Sequence, residues 1–277
     1  MNTRSHVKHM SRVVLCAGLS LASAGLAQEA KEGGDDTAEL AKKLSNPIAS
    51  LISVPFQYNF DHNMGPDDKG SKSLLNIQPV IPISLGEDWL VISRTIVPLV
   101  DMQDMPYGDQ SGMGDVLQSL FFSPKKPTAN GIIWGVGPAL LFPTATDDVL
   151  GGEKWAAGPT FVALKQSGPW TFGVLANHLW SYAGEPDRND INATFVQPFA
   201  SFLYRKTYTT FGVNTETSYD WDSDAWSVPV NLTVSQMLKI AGQPFQIVAG
   251  PRYWLDSPDG GPEGFGVRVG LTLLFPK

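Results

Sequence analysis

Cysteine is all but missing: the 277 residues contain one, Cys16, close to the start of the chain. Past it no disulfide can form, and no thiolate is available to a metal or a nucleophilic mechanism. Histidine is nearly as scarce. Beyond residue 27 only His62 and His178 occur, so a zinc site of imidazole and thiolate fails for want of ligands. Long apolar runs are lacking too. After residue 27 no stretch reaches the roughly 18 apolar residues of a spanning helix. That excludes a helical inner-membrane protein but not a membrane barrel, whose strands are apolar on one face only. Positive charge is in short supply: 20 Lys and Arg face 27 Asp and Glu, for a net charge of -7. With no basic patch, a nucleic-acid partner is not expected.

The first residues read as a targeting segment. Arg4, Lys8 and Arg12 come without an acid, Val13 to Ala27 are small and apolar, and Gly25-Leu26-Ala27 precede Gln28. This is a secretory signal peptide over residues 1–27, cut after Ala27. Leu15 stands where a lipoprotein signal needs a small residue before Cys16, so lipidation is not expected. Losing three basic residues takes the formal charge from -7 to -10. About 250 residues remain, enough for one large domain.

Residues 28–46 are polar, starting from the flexible Gly33-Gly34-Asp35-Asp36, with Ala38, Ala41 and Leu44 spaced for one or two helical turns. Two readings stand: a flexible periplasmic segment, or a short helix tucked into a barrel mouth.

From residue 47 to 277 the pattern is that of strands. In Phe265–Phe275, Phe265, Val267, Val269, Leu271, Leu273 and Phe275 share one face, and Gly266, Arg268, Gly270, Thr272 and Leu274 the other. Eleven residues suit a tilted transmembrane strand, and an arginine with two glycines suits a wet lumen better than a second packed sheet. Twelve such runs follow one another: 48–60, 73–84, 89–100, 114–123, 131–142, 155–165, 170–181, 191–203, 207–219, 226–238, 244–255 and 264–275. Several contain proline, including Pro79, Pro98 and Pro229, which removes a ladder donor and calls for bulges or rim positions.

The connections separate a barrel from the alternative, a soluble β-sandwich. Short turns alternate with longer loops at 61–70, 101–112, 144–153, 182–189, 220–225 and 256–263. Those six loops hold 17 of the 27 acids against only Lys69 and Arg188. Aromatics such as Phe60, Trp89, Trp170, Trp180, Tyr219, Trp226, Tyr253 and Trp254 fall at strand ends, as interfacial girdles require. The expected fold is therefore all-β, a twelve-stranded antiparallel transmembrane β-barrel of outer-membrane type.

With that parity the lumen is lined by Gln57, Asn59, Asn76, Gln78, Asn192, Thr194, Asn214, Glu216, Asn231, Thr233, Gln246, Arg252 and Arg268. Amides with isolated charges of both signs favour passage of small polar or amphipathic solutes. The acidic loops, with Asp67-Asp68, Asp147-Asp148 and Asp220, Asp222, Asp224, lack the spacing of a calcium hand. They read as a solvated rim, with divalent bridging to lipopolysaccharide as the alternative. No catalytic, cofactor or metal residues are assigned. The runner-up function is a barrel enzyme acting on lipid, of the outer-membrane phospholipase A kind, with His178 beside Trp180 and Ser181 as its weak candidate. A closed structural barrel is the third.

Several stretches carry a resemblance. ELAKKLSNPIASLISVPFQYNFD from Glu39, LLNIQPVIPISL, ISRTIVPLV, SGMGDVLQSLFFSPKK and GVGPALLFPTATDDVLGGEKWAAGP resemble the outer-membrane transporter-like proteins grouped as meta-pathway phenol-degradation proteins, some misnamed neuromedin U. The resemblance covers nearly all of the chain beyond the signal, and Gly112-Met113-Gly114-Asp115 matches the family's glycine-glycine-aspartate pattern. It implies a barrel and a transport role and brings no catalytic residue. One departure is Pro276-Lys277, which follow Phe275 where outer-membrane strands end on an aromatic. The expected function is an outer-membrane channel for small solutes, aromatic or hydrophobic ones among them. Its expected partners are membrane lipid, lipopolysaccharide and the barrel-assembly machinery.

Overall fold

Period-two alternation builds fifteen strand segments in the computed structural model, which describes residues 36–276. The signal peptide, Cys16 and residues 28–35 lie outside the described residues. The segments are β1 (Ile52–Met64), β2 (Gly70–Ile77), β3 (Val80–Leu85), β4 (Trp89–Gln103), β5 (Gln110–Met113), β6 (Val116–Pro124), β7 (Ile132–Phe142), β8 (Lys154–Ser167), β9 (Trp170–Gly184), β10 (Asn192–Tyr204), β11 (Thr209–Thr215), β12 (Thr217–Asp220), β13 (Ala225–Ile240), β14 (Gln243–Asp256) and β15 (Gly264–Phe275). Three strands are interrupted once each, at Gln78-Pro79, at Gly114-Asp115 and at Glu216. Joined across those breaks, the segments make twelve antiparallel barrel strands.

The ring closes where β1 meets β15, in register from Ile52 opposite Phe275 to Phe60 opposite Val267. Closure pairs the long strands on both sides, the condition for a sheet to sit in hydrocarbon, and leaves open edges only at the ends, where β3 meets β1 at Val80 alone and β5 pairs only with β4. Proline falls partly where the ladder is already broken. Pro79 lies in the gap between β2 and β3, and Pro229 marks the register shift between β13 and β14.

The outward face is apolar around the ring. Ile83, Phe122, Phe161, Phe172, Phe211, Leu232, Ile247 and Val269 are exposed, a belt far larger than a soluble protein tolerates. Aromatics border it at both ends. At the short-turn end Trp89 packs edge-on to Trp134, and Trp170 contacts Phe172 and Phe202. At the long-loop end Tyr219 touches Trp221 and Trp226, and Tyr253 meets Phe265. Trp254, grouped with Tyr253 by sequence position, instead turns inward, where its indole nitrogen donates to Asp61.

Inside the short-turn end sits the N-terminal segment. A helix, α1, covers 36–44, and a turn built on Asn46, whose side-chain oxygen accepts from the Ile48 amide, redirects the chain. Ala, Leu, Glu and Lys favour that helix, but nine residues do not hold one alone in water. The barrel stabilises it. Ala41, Ala49 and Leu51 pack with Leu203, Met237 and Leu274, while Ile48 packs with Ile92, Phe121, Val162, Leu164 and Leu175. Gln166 donates to the Lys42 carbonyl at 2.8 Å, fixing the segment to the wall beside the β8–β9 turn. Residues 48–51, expected as the start of the first strand, thus belong to this plug, and β1 begins at Ile52. Their apolar run prolongs the strand pattern, but its partners are inside.

Candidate functional site

The interior wall from β11 round to β2 carries a chain of charges. Glu216, in the break between β11 and β12, accepts from Arg268 at 2.7 Å and from Arg252 at 3.1 Å through one oxygen, Oε2. Arg252 Nε stands 3.1 Å from Asp61, and its guanidinium lies 4.7 Å over the Trp254 ring. Arg268 Nε also donates to Asn59 at 2.7 Å, and Arg252 Nη1 to Asn231, whose amide donates to Asn214 at 2.8 Å. Lys72 is the cross-strand neighbour of Asp61. Gly266 makes room: a Cβ there would stand 2.6 Å from the Asp61 carboxylate and from the Phe60 carbonyl. Asp61, Glu216, Arg252 and Arg268 are desolvated in this wall and persist because each is ion-paired and makes at least one hydrogen bond.

Two cavities of about 290 Å³ occupy the middle of the barrel. One is lined by Gln57, Arg94, Asn214, Thr233, Gln246 and Arg268 and reaches Leu44 and Pro47 of the plug. The other takes in Gln57, Asn76, Gln78, Arg94, Asn177 and Glu216, with Ile96, Leu117, Leu175 and Phe195 among its apolar neighbours. Gln57, Asn76, Gln78, Asn214, Glu216, Thr233, Gln246 and Arg268 therefore border cavities, while Asn59, Asn231 and Arg252 are buried in the charged wall.

Asn192 and Thr194 are placed differently. Thr194 Oγ1 lies 2.7 Å from His178 Nδ1 and accepts from Trp221 Nε1 at 2.8 Å, on the aromatic outer face, while Phe195 and Phe199 point to the interior cluster. Asn192, two residues before Thr194, donates to Asp222 in the β12–β13 loop. Thr194 also borders the second cavity, while its hydroxyl bonds Trp221 and His178 and Asn192 bonds Asp222; β10 carries polar residues on both faces, Gln197 and Ser201 beside Phe195 and Phe199, so polarity alone does not tell in from out. Arg94 also lines both cavities; its direction is hard to read from sequence because Ser93, Arg94 and Thr95 are consecutive and polar, and the inward Ile92 and Ile96 on either side give it.

At the long-loop end Asp115, in the break between β5 and β6, holds the β7–β8 loop. Its carboxylate accepts from the amides of Thr144, Ala145 and Gly152 at 3.1, 3.1 and 2.7 Å. Arg188 in the next long loop donates to the carbonyls of Asp148 and Gly151 and pairs with Glu153 at 3.2 Å. Asp190 bonds Ser181 and Lys154, which hold its carboxyl below the usual range, the Ser181 hydroxyl first. Glu153 goes the other way: desolvation, then the neighbouring Asp148, pushes it up. Other rim acids serve their own turns, as Asp220 does by accepting from the amides of Asp222 and Ser223.

Fold and interior together define a closed twelve-strand barrel of the outer-membrane kind, with polar and charged residues around its central cavities and an apolar cluster about Ile48. Among solved structures, it is similar to an outer membrane channel from Pseudomonas putida F1, with a TM-score of 0.66 at 13% identity over 82% of this chain and 96% of that one. The beta domain of the Bordetella autotransporter BrkA aligns at a TM-score of 0.44 and 9% identity, over 81% of this chain and 100% of that one. No protein-family model matches the sequence, and no curated protein matches it.

Proposed function

We propose that this protein is an outer-membrane channel that lets small polar or amphipathic solutes pass passively, with Gln57, Asn76, Gln78, Asn214, Thr233, Gln246 and Arg268 along the path. One observation carries the reading. The interior of the closed barrel is amides and charges around cavities, where a barrel with only a structural role would gain from a dry apolar core. The similar fold of the Pseudomonas putida channel supports it, and the transporter-like resemblance of the sequence points the same way.

In this reading the acidic long loops face outward and the short turns face the periplasm, where the segment 36–51 closes most of the mouth. Membrane lipid surrounds the apolar belt, lipopolysaccharide meets the loops, and the assembly machinery inserts the barrel. Among the described residues His178 contacts Thr194 and Trp180, and no hydrogen bond joins it to a serine. The test is solute efflux from liposomes carrying the purified protein, alongside outer-membrane fractionation with heat-modifiable gel mobility. Leakage of small solutes is expected; tight liposomes with a correctly folded barrel would contradict the channel.

A further inference from the structure

We propose that the central cavity beside Arg94 is a binding site for a small organic monoanion with an apolar body, such as an aromatic or medium-chain monocarboxylate. The inference deepens the channel reading and rests on it for the ligand's way in, but the site's existence is tested separately. The cavity, about 290 Å³, lies at the small end for ligand pockets, so it suits a single ring or a short chain. Its lining is two-sided. Ile96, Leu117, Leu175 and Phe195 make an apolar wall, while Gln78, Asn177 and Arg94 stand on the polar side together with one carboxylate, Glu216, which is already held by Arg252 and Arg268. Leu175 and Phe195 also pack with the Ile48 cluster, but Ile96 and Leu117 lie outside it, and an apolar surface on the cavity wall is of use to a hydrocarbon body and not to water or inorganic ions.

The charge balance selects the sign. Among the described residues, the charges of the central cavities and the wall beside them are four cations, Lys72, Arg94, Arg252 and Arg268, against two acids, Asp61 and Glu216; Lys154, buried towards the long loops, is paired with Asp190. Both acids are engaged: Glu216 holds Arg252 and Arg268, and Asp61 holds Arg252 and faces Lys72. Arg94 makes no ion-pair contact among the described residues, and the one carboxylate near it, Glu216, is bonded to Arg252 and Arg268. Its Nη2 donates to the neutral amide of Gln78 at 2.8 Å, which aims the guanidinium without neutralising it. The remaining N–H groups offer the planar fork that carboxylates accept in pairs. Gln78 is thus a positioning residue and Arg94 the anchor. Arg94 borders both central cavities, so a ligand held there lies between the charged wall and the plug.

The experiment is equilibrium binding to the full mature barrel in detergent, using benzoate, benzyl alcohol, benzylamine and acetate as probes, with bilayer conductance recorded separately. Benzoate is expected to bind about tenfold tighter than benzyl alcohol, and tighter than benzylamine or acetate, since the site reads both the charge and the ring. Arg94→Gln should abolish the margin over benzyl alcohol, and Arg94→Lys should keep only part of it. Equal binding of benzoate and benzyl alcohol, or an Arg94→Gln barrel with unchanged benzoate affinity, would overturn the site. Should Arg94→Gln fail to fold, Ile96→Asn decides: loss of the benzoate margin over acetate supports the site, and an unchanged margin overturns it. Arg94-dependent binding in a barrel that stays silent in bilayers keeps the site and removes the channel; conductance in a barrel whose benzoate affinity does not depend on Arg94 does the reverse.

Discussion

Arg268 on β15 and Glu216 in the break between β11 and β12 meet at 2.7 Å inside the barrel, although 52 residues separate them in sequence. Their contact spans two intervening strands, and Arg252 on β14 joins the same carboxylate oxygen. The carboxylate is what allows two guanidinium groups to share one desolvated wall.

Glu216→Gln should therefore destabilise the barrel. Removing one member of a buried pair leaves the other uncompensated, a loss of about 3–5 kcal/mol. The partial exposure of this carboxylate, 20%, puts the expected loss at the low end, about 3 kcal/mol. The temperature at which heat-modifiable mobility is lost should fall, and an unchanged temperature would mean that water already screens the pair.

Asp115→Ala should release the β7–β8 loop and leave the barrel intact. Three amide hydrogen bonds to one carboxylate disappear, a local loss of about 1–3 kcal/mol. Hydrogen exchange at Thr144, Ala145 and Gly152 should accelerate, while that of the strand amides should not.

The loop rim should respond to pH in two opposite senses. Asp190 is depressed, chiefly by Ser181 and then by Lys154, so the stability it lends is complete above its ordinary pKa of about 3.9 and is lost as pH falls through its lowered value. Glu153 is raised by desolvation and Asp148, so its contribution is present below its ordinary pKa of about 4.3 and disappears as pH rises through the raised value. Limited proteolysis of loop 185–191 against pH should show acid loosening that Asp190→Asn removes. Glu153→Gln should flatten the change on the alkaline side of the ordinary carboxylate range. Identical profiles in all three proteins would contradict both assignments.

The ring itself was legible because lipid imposes one rule on every strand. Phe265, Val267 and Val269 point out and Gly266, Arg268 and Gly270 point in, and the same period recurs with alternating long and short connections. The rule fails where interior residues are also apolar. Phe195 and Phe199 share the inner face of β10 with Gln197 and Ser201, while Asn192 and Thr194 alternate with them beside Val196, so polar residues occur on both faces and polarity alone does not give the direction of Asn192 and Thr194. Ile48 and Leu51 likewise prolong a strand-like run, and only a plug supplies their partners. Glu216, Arg252 and Arg268 could each be assigned to the interior by parity, but their convergence could not, because it depends on strand register.

The most direct test of the account is single-channel conductance of the full mature protein beside the Ile48→Asp variant, which sets a carboxylate among Ile92, Phe121 and Val162 and should expel the plug. The full barrel is expected to conduct weakly and the variant several-fold more, with both retaining heat-modifiable mobility. Two folded barrels that remain equally silent would contradict a wet path closed by residues 36–51.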